Sequence, residues 1–106
     1  MIPFQQLMCR WGSQSLRETL LNALKHTYSH VGPDIRPEVE THCSWHTSPG
    51  FVGRLSSTLV PDQYVDFEQA RKLCGVTLMV EPEMPANDIY LRYDDQTVCC
   101  VTVLEE

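Results

Sequence analysis

From Glu38 to His46 polar and apolar side chains alternate: Val39, Thr41, Cys43 and Trp45 fall on one side of an extended backbone, Glu38, Glu40, His42, Ser44 and His46 on the other. A helix would scatter the two sets around its circumference, so the spacing predicts a strand with one dry and one wet face. One such strand is not stable alone. It needs neighbours in a sheet and something apolar packed on its dry side.

The neighbours are sought by the same rule. Ser48-Pro49-Gly50 reads as a turn, and Phe51, Leu55 and Leu59 share the odd-numbered face of a second strand from Phe51 to Leu59. A five-residue loop sets Trp45 opposite Phe51 and Cys43 opposite Gly53, keeping apolar with apolar, whereas a four-residue loop sets His46 against Phe51. The longer loop is therefore expected. Val76 to Glu81 is almost wholly apolar and β-rich, as a central strand covered on both faces would be. Pro82 to Asp88 holds two prolines and an Asn-Asp pair and is an irregular connection. Ile89 to Tyr93 and Thr97 to Leu104 flank Asp94-Asp95-Gln96 as a terminal hairpin, with Ile89, Leu91 and Tyr93 facing Val101, Cys99 and Thr97.

Helical spacing marks three segments. Phe4, Leu7, Met8 and Trp11 recur at i, i+3, i+4 and i+7 across residues 3–11, behind Pro3. Leu16, Leu20, Leu21, Leu24, Tyr28 and Val31 form a second stripe, and Leu20 lies about 160° around the axis from Phe4, so Gly12 breaks the two apart. Ser15 and Glu18 resemble a capping box for this second helix, about residues 15–30, and Gly32-Pro33 ends it. Phe67, Ala70, Leu73 and Cys74 give a third helix, with Asp66 as its N-cap and Gly75 as its C-cap.

The element order is then ααββαβββ. It predicts an α+β fold, an antiparallel sheet of about five strands with helices packed on one face, in a single domain spanning residues 1–106. The length suits one core, and 42% hydrophobic with 21% charged residues is ordinary for a packed domain rather than a disordered chain.

Charge and thiols narrow the surroundings. Fourteen acidic against eight basic residues give a net charge of −6, which disfavours nucleic acid and anionic membranes as partners. No apolar run approaches the roughly 20 residues needed to span a bilayer, and the first residues lack the pattern of a secretory signal. Five cysteines, Cys9, Cys43, Cys74, Cys99 and Cys100, are odd in number and irregular in spacing, which favours reduced thiols and a cytoplasmic location.

Ligand-type side chains cluster only at His42-Cys43-Ser44-Trp45-His46. In a regular strand His42 and His46 lie about 13 Å apart and Cys43 points the other way, so a zinc site requires the strand to break and Cys74, Cys99 or Cys100 to complete it. No cofactor is expected. Cys74 at a helix C-terminus and Cys99 and Cys100 within a strand are poorly placed for a reactive thiolate. The carboxylate pairs Glu81 and Glu83, Asp94 and Asp95, and Glu105 and Glu106 fall in turns or at the end, where water keeps them ordinary, and no catalytic residue is assigned. Phosphate-loop, nucleophile-elbow and zinc-helix motifs are absent from the sequence.

What remains is surface. Asp34, Glu38 and Glu40 precede the His42 to His46 face, and Glu81, Glu83 and Asp88 lie around the proline-rich connection, two acidic patches that a sheet edge could bring together. Asp34, Glu38, Glu40, His42, His46, Glu81, Glu83 and Asp88 are the expected partner-binding residues. The expected function is a small acidic non-enzymatic protein-binding module, an inhibitor, antitoxin or immunity protein, adaptor or chaperone that acts by occupying a protein partner of basic character. Open sheet edges also admit a homodimer. The alternative is a small zinc-binding or thiol-dependent protein using His42, Cys43, His46 and a later cysteine. Trp11, Trp45 and Tyr64 are the aromatic residues whose exposure would mark an interface anchor.

Overall fold

The computed structural model describes residues 2–31, 42–59, 65–66 and 71–104. Its elements run β1 Gln5–Arg10, α1 Ser13–Val31, β2 Cys43–Thr47, α2 Pro49–Thr58, β3 Val65–Asp66, β4 Lys72–Leu73, β5 Val76–Val80, β6 Asp88–Tyr93 and β7 Gln96–Leu104. The seven strands form one sheet in the order β1-β7-β6-β2-β5-β4-β3, so the fold is α+β as expected. The sheet is mixed, not antiparallel. β1 runs parallel to β7 and β2 parallel to β5, while the other neighbours are antiparallel.

The parallel pairs arise where expected elements change type. Phe51 to Leu59 lies almost wholly in helix α2. Its apolar residues are spaced by four, which fits a helical face as well as an alternating strand, and the intervening odd positions Gly53 and Ser57 are exposed. Ser48 starts the helix: its hydroxyl accepts the Phe51 N–H at 3.2 Å, and Pro49 sits at the first helical position without a donor to waste. With a helix between them, β2 and the next long strand can lie side by side in the same direction, and the Trp45 to Phe51 hairpin register does not form.

Residues 5 to 10 are strand, not helix. Pairing along β7 buries Cys9 and half-buries Gln5 and Leu7, leaving Met8 in the open, and this tertiary partner overrides the i, i+3, i+4 spacing. The expected third helix is corrected as well. Asp66 lies in β3, and Lys72–Leu73 turns into Val76 through Cys74 and Gly75, both with positive φ (53° and 80°), the backbone that a two-residue hairpin demands. Phe67 and Ala70 lie outside the described residues.

Three expectations hold with adjustment. The break at Gly12 separates β1 from α1, whose first hydrogen bond runs from Leu16 N–H to the Gly12 carbonyl at 2.9 Å. Ser15 and Glu18 are therefore inside the helix rather than at its cap; Ser15 offers its carbonyl to the Thr19 hydroxyl. The β6–β7 hairpin keeps Ile89 opposite Val101 and Leu91 opposite Cys99, but a bulge follows and the loop is only Asp94-Asp95, with Asp94 at φ 52°, so Tyr93 meets Gln96. Val76–Val80 is a strand, yet β2 rather than β5 is the middle one of seven, and Thr77 and Met79 are exposed.

Both helices cover the same side. Leu16, Leu20, Ala23 and Leu24 of α1 and Phe51 and Leu55 of α2 join Cys43, Trp45, Leu78, Ile89, Leu91, Cys99, Val101 and Val103 in one apolar cluster. All of those strand residues share one face of the sheet. Trp11 is half-buried, its ring 5.1 Å from that of Phe51 and beneath Arg54. Trp45 is fully buried, and Tyr64 lies outside the described residues. Among the described residues, no helix covers the opposite face, and no helix is long and apolar enough to cross a membrane.

Candidate functional site

Alternation along β2 sends Cys43, Trp45 and Thr47 into the core and leaves Ser44 and His46 on the face away from the two helices. The strand register then fixes their company. One row across the sheet reads Gln6, Cys100, Tyr90, His46 and Met79; the next reads Arg92, Ser44, Thr77 and Lys72. Asp88 precedes Tyr90 by two positions on β6, and Glu81 follows β5 directly, held by its N–H donating to the Thr47 carbonyl at 2.8 Å.

His46 is the hub. Its Nδ1 lies 2.9 Å from Glu81 Oε1 and its Nε2 lies 2.7 Å from Ser44 Oγ, with the side chain only 11% exposed. A carboxylate can only accept, so the proton belongs on Nδ1. In that tautomer Nε2 presents a lone pair, for which the Ser44 hydroxyl is the donor within reach. Hydroxyl, imidazole and carboxylate are thus joined in series, the arrangement that a nucleophile, its base and the group orienting that base adopt in acyl transfer.

The flanking side chains are also ordered. Gln6 Nε2 donates to Thr102 Oγ1 at 3.0 Å, and that hydroxyl donates to Asp88 at 2.8 Å. Burial, then Cys100, then Asp88 push the Tyr90 phenol above its ordinary range. Arg92 donates from one terminal nitrogen to the Asp95 carbonyl at 3.1 Å, while its Nε is buried with no acceptor among the described residues.

The expected partner-binding residues separate into groups. His46, Glu81 and Asp88 gather at one end of the face away from the helices. His42 sits at the other end, where its Nδ1 lies 2.8 Å from Asp94 Oδ1, and Glu83 is exposed in the turn after β5. Asp34, Glu38 and Glu40 lie outside the described residues. The acidic surplus is not on the described surface: seven of the fourteen acidic and seven of the eight basic residues are described, so that part of the chain is neutral overall.

His42, Cys43 and His46 do not converge. Each histidine holds a different carboxylate, and Cys43 lies in the core, its thiol pushed up to about 12 by burial and then by Asp94. Cys74 belongs to a hairpin turn rather than a helix end, and all five cysteines are free. Glu81 and Asp94, expected to be ordinary solvated carboxylates, each hold an imidazole.

Ser44 is the residue that sequence reasoning missed. The signal was present, since Ser-x-His on the wet face of an alternating strand puts the two side chains next to each other. Glu81 could not be added without the β2–β5 pairing, because 35 positions separate it from His46. Comparison with family models, with curated proteins and with solved structures finds no match to this chain.

Proposed function

We propose that the chain is a small acidic protein-binding module of the inhibitor, antitoxin, immunity, adaptor or chaperone kind, acting by occupying a partner through the β1 edge and the part of the sheet face beside it that points away from the helices. The observation that carries it is a cluster of exposed apolar side chains where a strand edge is open. β1 ends the sheet, so its outer backbone donors and acceptors have no neighbouring strand among the described residues. Beside it on the face away from the helices stand Met8, 61% exposed, and Leu104, 41% exposed, with Phe4 just ahead of the strand at 59%. Such a pairing of free edge and apolar side chains suits an extended segment of another protein that adds a strand and lays its own apolar residues on Met8. His46, Glu81 and Asp88 give the far part of the same face its polar character.

The partner is a protein rather than nucleic acid or a membrane, because an acidic chain repels phosphate backbones and anionic headgroups. Five free thiols support a reducing, cytoplasmic setting. A basic partner is steered by the acidic segments outside the described surface, not by the face itself.

Affinity capture compared between the wild-type chain and Met8→Glu, with light scattering of both, tests this. A heterologous protein held by the wild type and released by Met8→Glu supports the reading. A dimer dissolved by the same substitution would make a second copy the occupant, and capture indifferent to Met8 would remove the β1 edge from the function.

A further inference from the structure

We propose that Ser44 is the nucleophile of an ester-cleaving site, with His46 as its base and Glu81 as the residue positioning the ring, acting on a small carboxylic ester that carries an anionic group held by Arg92 and Lys72. This goes beyond docking and rests on separate observations. The hydrogen bonds from Ser44 to His46 and from His46 to Glu81, 2.7 and 2.9 Å, run to the two different ring nitrogens, which is what a base oriented by a carboxylate requires. His46 is buried and Ser44 half-buried on a face that no described helix covers, so the hydroxyl can meet a substrate while its base stays out of water.

The neighbours of Ser44 define the substrate. Arg92 stands directly opposite it on β6, Thr77 directly beside it on β5, and Lys72 beyond Thr77 on β4. Two cations and a hydroxyl therefore flank the nucleophile in one row, and the Arg92 guanidinium is held there by one terminal nitrogen donating to the Asp95 carbonyl at 3.1 Å. A guanidinium in that position suits an anionic group on the substrate and the oxyanion that forms when its carbonyl is attacked.

The steps balance without a further reagent. Ser44 Oγ bonds to the acyl carbon as its proton passes to His46 Nε2. Collapse of the tetrahedral adduct breaks the bond to the alcohol oxygen, which leaves with the proton from His46, and the acyl group remains as an ester on Ser44. Water gives a proton to His46 and attacks that ester; the carboxylic acid departs and Ser44 recovers its hydrogen. Glu81 accepts the Nδ1–H throughout and forms no bond with the substrate.

The test uses the full chain, an alkyl fluorophosphonate and two aryl esters whose acyl groups cannot cyclise, 4-nitrophenyl 4-sulfobenzoate and 4-nitrophenyl benzoate. The expected result is one adduct per chain, mapped to Ser44, and hydrolysis of the anionic ester about tenfold faster than the neutral one, a preference lost in Arg92→Gln with Lys72→Gln. Ser44→Ala abolishes both adduct and turnover. Glu81→Gln, at a partly exposed position and with its fold checked by circular dichroism, lowers kcat by about a hundredfold or more with little change in KM, and Glu81→Asp restores part of it. Labelling that avoids Ser44, or hydrolysis in Ser44→Ala equal to wild type, overturns the proposal; an equal rate on both esters overturns the anionic substrate. Neither result alters Met8-dependent capture, so docking and catalysis fail separately.

Discussion

Trp45 and Leu73 are joined across the sheet: the indole N–H of β2 donates to the carbonyl of β4 at 2.9 Å, under the intervening strand β5. Trp45 is fully buried, so its ring fills the centre of the core while its one polar atom is satisfied by the short outer hairpin. Trp45→Phe removes the donor, strips a partner from a buried carbonyl and leaves a gap. The expected cost is about 2–4 kcal/mol, read as a lower urea midpoint by circular dichroism with an unchanged denaturant slope.

Helix α2 depends on one hydroxyl. Ser48 is 5% exposed and caps the Phe51 N–H, which would otherwise be an unpaired donor at a buried helix start. Ser48→Ala should destabilise the chain by about 1 kcal/mol, and Ser48→Asp should restore most of the loss because a carboxylate can take the same bond and favours the positive end of the helix. Thermal midpoints of the three proteins decide it; an Ala variant as stable as wild type removes the cap from the account.

At the β4–β5 turn two successive residues adopt positive φ, and only Gly75, at 80°, does so without a side-chain penalty. Gly75→Ala is expected to cost about 1 kcal/mol or more, and Gly75→Asn less, since Asn tolerates the left-handed region. If Ala and Asn are equally harmful, the turn conformation is not what Gly75 supplies.

How much of this was legible depended on whether a pattern admitted one period or two. Ile89, Leu91, Cys99 and Val101 alternate on both arms of a hairpin, and their register followed from the sequence up to Leu91, where a bulge that no residue type announces shifted the rest. Phe51, Leu55 and Leu59 are four apart, a spacing compatible with either period. The exposed Gly53 and Ser57 between them were the discriminating residues, and Ser48-Pro49 was a helix start as much as a turn. Phe4, Leu7, Met8 and Trp11 formed a helical stripe that the edge of β7 overrode, a pairing 94 positions away that no local window contains. The candidate site divides in the same way. Ser44 and His46 are strand neighbours and could be paired from sequence alone, whereas Glu81 and Arg92 reach them only through the β2–β5 and β2–β6 registers.

Alkaline pH should loosen the fold through its buried thiols. Cys43 and Cys99 are 2% and 0% exposed, and burial first, then Asp94 for Cys43 and Cys100 for Cys99, raises each thiol from 9.0 to about 12. Burial raises Cys9 and Cys100 in the same direction. In the unfolded chain these groups ionise near the ordinary value, while in the folded chain they stay neutral, so unfolding releases protons once the pH passes about 9. The contribution is therefore fully present below pH 9 and is lost as the pH rises from 9 towards 12, at up to about 1.4 kcal/mol per pH unit for each of Cys43 and Cys99. Urea midpoints measured from pH 7 to 10.5 should be flat at first and then fall. In Cys43→Ala the fall should be shallower, even though its midpoint at pH 7 is lower, because one of the ionising groups is gone. A midpoint that does not change above pH 9, or a slope unaffected by Cys43→Ala, would mean that the thiolates are tolerated inside the sheet.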